Sequence, residues 1–202
     1  MEKKSRLDKK RESILEAAAS AFRCEGYETA SMDRIAELAG ASKRTVYNHF
    51  ASKEVLFKEV VANLIRQIVA LKRIEWDPQR GLEEQLHDFA LSKISVAENP
   101  GWLGLLRVVM GVFVRDPKMA QETIAQGAEG EQVFIRWLIA ADKAGKLNIT
   151  DPEIASTMFW SLLEGAIFWP SIFGKPIDTE ARKRLTAEII ATFLARYGVT
   201  AS

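Results

Sequence analysis

Cysteine is almost missing from this sequence. Cys24 is the only one in 202 residues, which excludes a disulfide framework and a multi-cysteine zinc site. Histidine is nearly as scarce: His49 and His87 stand 38 positions apart, so no histidine-rich metal site is expected. Six prolines and twelve glycines are too few for a turn-rich all-β fold. No apolar run suits a bilayer. The nearest, Ile154 to Gly174, carries Glu164 near its middle together with Ser156, Thr157, Ser161 and Pro170. A carboxylate at bilayer centre costs roughly 2.5–3.5 kcal/mol, so the segment reads as a buried helix. The start of the chain is charged with no apolar stretch behind it, which is no signal peptide. A cytoplasmic protein without membrane partners is expected, with Cys24 reduced and serving as a small buried filler.

Neither sign of charge dominates: 28 Lys and Arg face 27 Asp and Glu. Hydrophobic residues at 48% and charged residues at 27% exclude wholesale disorder, because there is enough apolar surface to offset chain entropy. The even total hides an uneven spread. Residues 1–53 hold eleven basic and eight acidic residues, leaving seventeen basic and nineteen acidic for the rest. The first eleven residues include Lys3, Lys4, Arg6, Lys9, Lys10 and Arg11. A basic head on a faintly acidic body suits a polyanion, although a solvated terminus has the same composition.

Helical periodicity runs throughout, predicting an all-α fold of about nine helices. Ile14, Leu15, Ala18, Ala21 and Phe22 make one stripe on a helix from Leu7 to Cys24, stopped at Gly26. Ser31 is placed to cap a short helix with Ile35, Leu38 and Ala39 inward, broken at Gly40. Ser42 can cap a second short helix from Lys43, with Val46 and Phe50 inward. So tight a turn between two helices forces a steep crossing. Ser52 starts a fourth helix, where Val55, Leu56, Val60, Leu64, Ile68 and Leu71 extend to about Arg73. Further helices are expected over Leu82–Val96, Trp102–Val114 and Met119–Ala144, the last weakened at Gly127 and Gly130. Asp151-Pro152 opens another, ending before Pro170. The last spans Thr179–Tyr197, with Leu185, Ile189, Ile190, Phe193, Leu194 and Tyr197 inward and Gly198 as stop.

Chemistry concentrates on the helix from Lys43. With Val46 and Phe50 inward, Lys43, Arg44, Thr45, Tyr47, Asn48 and His49 occupy its other sides. So many hydrogen-bonding side chains on two turns suit a DNA major groove better than a core. Arg44 and Asn48, four apart, share a face and favour guanine and adenine respectively. Ser42, Thr45, Tyr47 and His49 suit phosphate oxygens, and Lys53 adds a charge at an amide-rich helix start. A merely solvated surface helix is the ordinary alternative.

The stretch Gly26–Leu56 resembles the DNA-binding domain of the tetracycline-repressor (TetR) family. The resemblance rests on Gly26-Tyr27, Ile35-Ala36, Ala39-Gly40, Ser42-Lys43, Val46-Tyr47, His49-Phe50 and Ser52-Lys53-Glu54. Ala30 departs from it, standing where many members have a hydroxyl residue. Over the rest of the chain the likeness is architectural, with Gly145–Gly174 similar to the C-terminal domains of one branch. The resemblance implies a helix-turn-helix domain at 1–54 and a larger effector-binding and dimerisation domain at 55–202. It implies a homodimer on double-stranded, inverted-repeat operator DNA, released by a small-molecule effector. DNA contacts then fall on Ser42, Lys43, Arg44, Thr45, Tyr47, Asn48, His49 and Lys53.

The larger domain shows no glycine-rich phosphate loop, paired helical histidines or serine elbow. No enzymatic activity, metal or cofactor is expected. Fourteen of the eighteen aromatic residues follow Glu54. Phe89, Trp102, Phe113, Phe134, Trp137, Trp160 and Phe168, with Arg107 and Glu164 as polar members, are candidates for an apolar effector pocket. Each aromatic is also an ordinary core residue. The helix from Ile154 is apolar on nearly every side and needs a second cover. Thr157, Ser161 and Gly165 form a small-residue stripe on it, and with Ile189 and Phe193 of the last helix they are the candidate dimer interface. Two rival readings are a TetR-fold module for a lipid or protein that does not bind DNA, and an enzyme on a hydrophobic substrate.

Overall fold

The computed structural model describes residues 6–70, 74–125, 129–175 and 177–199, and helices are the only extended regular elements among them. They are α1 (Arg6–Glu25), α2 (Met32–Leu38), α3 (Lys43–His49), α4 (Lys53–Ala70), α5 (Leu82–Glu98), α6 (Pro100–Arg115), α7 (Pro117–Ala125), α8 (Glu129–Lys143), α9 (Pro152–Leu163), α10 (Trp169–Ile172) and α11 (Thr179–Tyr197). A π turn, Glu164–Phe168, joins α9 to α10. No described helix is long and apolar enough to cross a membrane. The chain forms two compact units, Met1–Gln67 with Gly104–Gly127, and Ile68–Leu103 with Ala128–Ser202. Packing thus divides the chain differently from the boundary expected after residue 54.

In the first unit the α1 stripe is buried as expected, together with Ile35, Ala36, Val46, Phe50, Leu56, Phe57, Val60 and Leu64. Phe22 meets Phe57 edge-on at 5.3 Å, and the Tyr27 ring lies 4.6 Å from Phe57. Three expected core residues are instead at the surface: Leu38 and Val55 are each 43% exposed, and Cys24 is exposed. At 100° per residue each lies about 100° or more from the centre of its helix's buried face. For α2 that centre is drawn toward Ala36 and Ala39; for α4, toward Phe57 and Val61. The Ile68 side chain and residues Leu71 and Arg73 lie outside the described residues.

The single helix expected over Met119–Ala144 is two, α7 and α8. Gly130 lies within α8, while Gly127 falls outside the described residues. Helix starts follow the expected caps. The side chains of Ser31, Ser42, Ser52 and Asp151 accept the backbone N–H groups of Arg34, Thr45, Val55 and both Glu153 and Ile154.

The second unit closes around Phe89, Phe134, Trp137, Leu138, Phe159, Ile190 and Phe193. Gln85, fully buried, organises one edge. Its Oε1 accepts from Trp137 Nε1 at 3.0 Å and Asp77 N at 3.0 Å, and its Nε2 donates to the carbonyls of Asp77 and Arg80. The helix expected to end before Pro170 passes it and reaches Ile172. Proline has no N–H and its ring crowds the carbonyl four residues back. The widened turn, in which Trp169 N–H bonds Glu164 O, accommodates it. Gly198 ends α11 with φ −70°, so it is not a left-handed stop. Its role is close approach: a Cβ there would meet Leu194 O at 2.5 Å.

Candidate nucleic-acid interface

The geometry of α2 and α3 comes from a short, fully satisfied turn. Gly40, at φ +54°, reverses the chain in a conformation that favours glycine. Its N–H bonds Glu37 O, and Ala41 N–H bonds Ala36 O at 2.9 Å, closing a Schellman motif. From α1, Lys10 Nζ donates to the carbonyls of Ala39 at 3.2 Å and Gly40 at 2.8 Å. Ser13 Oγ also donates to Ala39 O. Two side chains of α1 therefore make three hydrogen bonds to carbonyls that have no partner within α2. Lys43 Nζ pairs with Asp33 at 2.8 Å, tying the start of α3 to the start of α2. This carboxylate holds the Lys43 pKa above its ordinary value, chiefly by accepting its hydrogen bond.

On α3, Val46 is fully buried, as is Phe50 just beyond its end. Arg44, Tyr47 and Asn48 are exposed, and among the described residues their side chains have no hydrogen-bond or ion-pair partner. Thr45 is half-buried, its hydroxyl 2.8 Å from that of Ser42, which also caps the helix. His49 is half-buried beside Phe50. Six of the eight expected contact residues thus fall into two kinds, with Thr45 and His49 half-buried between them. Arg44, Tyr47 and Asn48 present unengaged groups to solvent. Ser42, Lys43 and Lys53 are committed to holding the scaffold.

Lys53 is the clearest case of the second kind. Its Nζ donates to Tyr27 O at 2.8 Å and Glu28 O at 3.0 Å, and lies 4.7 Å from the centre of the Tyr27 ring. Burial, then Glu54 and Glu28, push the Tyr27 phenol pKa up. The basic head is committed in the same way. Besides Lys10, Arg11 pairs with Glu59 and lies over the Phe50 ring at 5.2 Å. Residues Lys3 and Lys4 and the Arg6 side chain lie outside those described. Lys10 and Asp33 were not recognised from the sequence as parts of this site, because their partners are 30 and 10 positions away.

The expected pocket residues are split. Arg107 and Phe113 belong to the first unit and the other seven to the second. Phe89, Phe134 and Trp137 are buried against one another at ring separations of 4.7, 5.5 and 5.9 Å and make closed core. Trp102 is half-buried. Trp160, Glu164 and Phe168 converge on a residue the sequence did not single out, Lys93. A hollow of about 480 Å³ in the second unit, lined by Ile74, Trp76, Asp77, Arg80 and Asp88 among others, includes none of the expected residues.

Of the expected dimer residues, Thr157, Ser161 and Gly165 are exposed, beside Ile154 at 59% and Met158 at 49% exposure. Ile189 and Phe193 are not surface residues: they are 6% and 2% exposed. They face the chain's own core because α11 packs that side on α5 and α9. Its outward side shows Ala187, Ala191 and Ala195.

Comparison with known proteins agrees with this architecture. Residues 84–199 match the family described as AefR-like transcriptional repressor, C-terminal domain, and residues 14–60 match bacterial regulatory proteins of the tetR family. The uncharacterized HTH-type transcriptional regulator YhgD of Bacillus subtilis is 25% identical over 172 residues, covering 83% of this chain and 87% of that protein. A TetR family regulator from Pseudomonas syringae pv. tomato superposes with a TM-score of 0.79 at 35% identity, covering 96% of this chain and 99% of that one. The flavonoid-responsive regulator FrrA does so at 0.79 and 27% identity, with coverage of 96% and 99%. These kinships point to a non-enzymatic, DNA-binding transcription factor. A glycine turn braced from α1, an α3 that offers unengaged polar groups, and matches spanning both ends of the sequence lead to one assignment: the chain belongs to the TetR family of transcriptional regulators.

Proposed function

We propose that this regulator is a ligand-responsive repressor that binds an inverted-repeat operator as a homodimer and is released by a small, mostly apolar effector. The observation that carries the reading is the exposed, unengaged set Arg44, Tyr47 and Asn48 on an α3 held by the Lys10-braced turn and by the Lys43–Asp33 pair. Arg44 and Asn48 read base edges, while Tyr47, Thr45, His49 and the start of α3 meet phosphates. Each α3 of the dimer enters a major groove, with half-sites about a helical turn (~34–36 Å) or more apart. Acting on chromosomal DNA, the protein works in the cytoplasm.

Repression is supported by the description of the matching C-terminal family, and response to a small molecule by the name of the FrrA relative. The exposed α9 face of Ile154, Met158, Thr157, Ser161 and Gly165, with the alanine side of α11, supports dimerisation through a four-helix arrangement. Helix α4 is the lever. It begins with Lys53 in the DNA-binding head and continues across the junction between the two units after Gln67. Helix α6 also crosses, at Leu103–Gly104, so α4 is not the sole connection. A ligand shifts the equilibrium only by its affinity difference between states, and operator DNA must then weaken effector binding by the same factor.

The experiment is selection of duplexes from a random pool, followed by titration of wild type and Arg44→Ala on the selected site. Arg44→Ala should cost roughly 1–3 kcal/mol and relax preference at one symmetric base position. Wild type that selects no duplex even at low salt would leave the rival module that does not bind DNA as the correct reading.

A further inference from the structure

In the second unit a compact group of side chains surrounds Lys93 of α5. Its ammonium pairs with Glu164 at 2.6 Å and lies 5.5 Å from the centre of the Trp160 ring and 5.7 Å from that of Phe168. Trp160, Glu164 and Phe168 follow one another at four-residue steps. In an α-helix each such step drifts by about 40°. The π turn beginning at Glu164 takes that drift back, so all three side chains reach one point. Such widened turns recur at functional sites. Beside them Ile94, Leu163 and Ile167 are buried and form closed apolar packing.

A carboxylate and two aromatic faces around one ammonium form the arrangement that recognises organic cations. Here the cation is supplied internally, on a flexible stem. The Lys93 and Glu164 side chains are 31% and 32% exposed. Lys93 can therefore swing into water and be rehydrated there. The rings are held by their neighbours, Trp160 by Phe134 and Phe159 and Phe168 by Trp169, and Glu164 has the shorter stem, so these groups keep the site in place. The exchange of one cation for another leaves the local charge unchanged. An anion would have to displace Glu164 and then sit against the negative faces of two rings, so the group is not built for one.

We infer that Trp160, Glu164 and Phe168 form a binding site for an organic monocation, a protonated amine or quaternary ammonium with an apolar or aromatic body, and that Lys93 occupies it as an internal placeholder. The cationic head takes the place of the Lys93 ammonium, and the body lies outward over the half-buried Trp160 and Phe168 rings. As the identity of the effector, this rests on the regulatory reading above; as a binding site it does not.

The test is calorimetric titration of the full chain with benzyltrimethylammonium, its neutral carbon isostere neopentylbenzene, and phenylacetate. The cation should bind about tenfold or more tightly than the isostere. Glu164→Gln should remove most of that advantage. Lys93→Gln, by vacating the site, should tighten the cation several-fold and leave the neutral isostere unchanged. Melting curves of both variants check that the fold persists; these side chains are partly exposed, so little loss is expected. A cation that binds no better than the isostere, a Lys93→Gln variant that fails to tighten it, or preference for phenylacetate overturns the site. Operator release is measured separately. Cation binding with the expected variant pattern but no release upholds the site and refutes its role as effector site. Release by neutral bodies alone upholds the regulator and refutes the cation as its effector.

Discussion

Replacing Lys53 by methionine keeps the stem and removes the ammonium. The structure makes this a change in stability first. Two hydrogen bonds to carbonyls, at 2.8 and 3.0 Å, are lost, together with a cation placed 4.7 Å above the Tyr27 ring. Hydrogen bonds involving a charged group contribute about 1.5–3 kcal/mol each, and an exposed cation–π contact about 0.5–1. Lys53 is only half-buried, and one ammonium makes all three contacts. The low end and strong non-additivity therefore apply, giving about 2 kcal/mol in total. For a chain of this size that is a fall in melting temperature of roughly 4–8 °C. The alternative is that Lys53 acts mainly as a phosphate contact. Its loss would then flatten the slope of log affinity against log salt by about 0.9, with little change in melting. Circular-dichroism melts, paired with operator titrations across a salt series, separate the two. Unchanged melting with a slope reduced by about one contact would refute the structural argument.

Gln85→Leu should destabilise the second unit by about 3 kcal/mol or more in urea titration, because it strands the buried Trp137 N–H and the Asp77 N–H. Gly165→Trp, at an exposed position with open space around it, should leave the monomer folded but abolish the dimer in light scattering; an unchanged dimer moves the interface elsewhere. The hydrogen bond from Lys58 holds Glu122 below its ordinary carboxyl pKa of 4.5, and the backbone N–H of Ala181 holds Asp178 below 3.8. A depressed carboxyl contributes stability that is present above its unfolded value and lost as pH falls toward the folded one. Melting temperature should therefore fall as pH drops below about 4.5, and Asp178→Asn should soften that fall; an acid limb unaltered by the substitution would show that the cap is not a source of it.

Much of this molecule was legible along the chain because the interactions that shape it locally span four residues or fewer. The stripe Ile14, Leu15, Ala18, Ala21 and Phe22, the caps Ser31, Ser42, Ser52 and Asp151, and the break at Gly40 all sit where periodicity and helix-end chemistry put them. The polar faces of α3 followed from Val46 and Phe50 pointing inward. Local patterns, however, say nothing about which distant group a long side chain reaches. Lys10, Lys43 and Lys53 carry the composition of a DNA-binding surface. The fold ties all three to groups between 10 and 30 positions away. The aromatic residues of the second unit likewise gave no sign of which would close into core and which would gather around Lys93, a residue 71 positions from Glu164. Sequence determines where most of the helices start and which stripe of each is apolar, since these follow from backbone geometry and neighbouring residues, but the edges of the buried face, as at Leu38, Val55 and Cys24, are set by packing. Tertiary packing alone decides which cations remain free for a ligand, because Lys10, Lys43, Lys53 and Lys93 each take the partner the folded chain brings within about 3 Å.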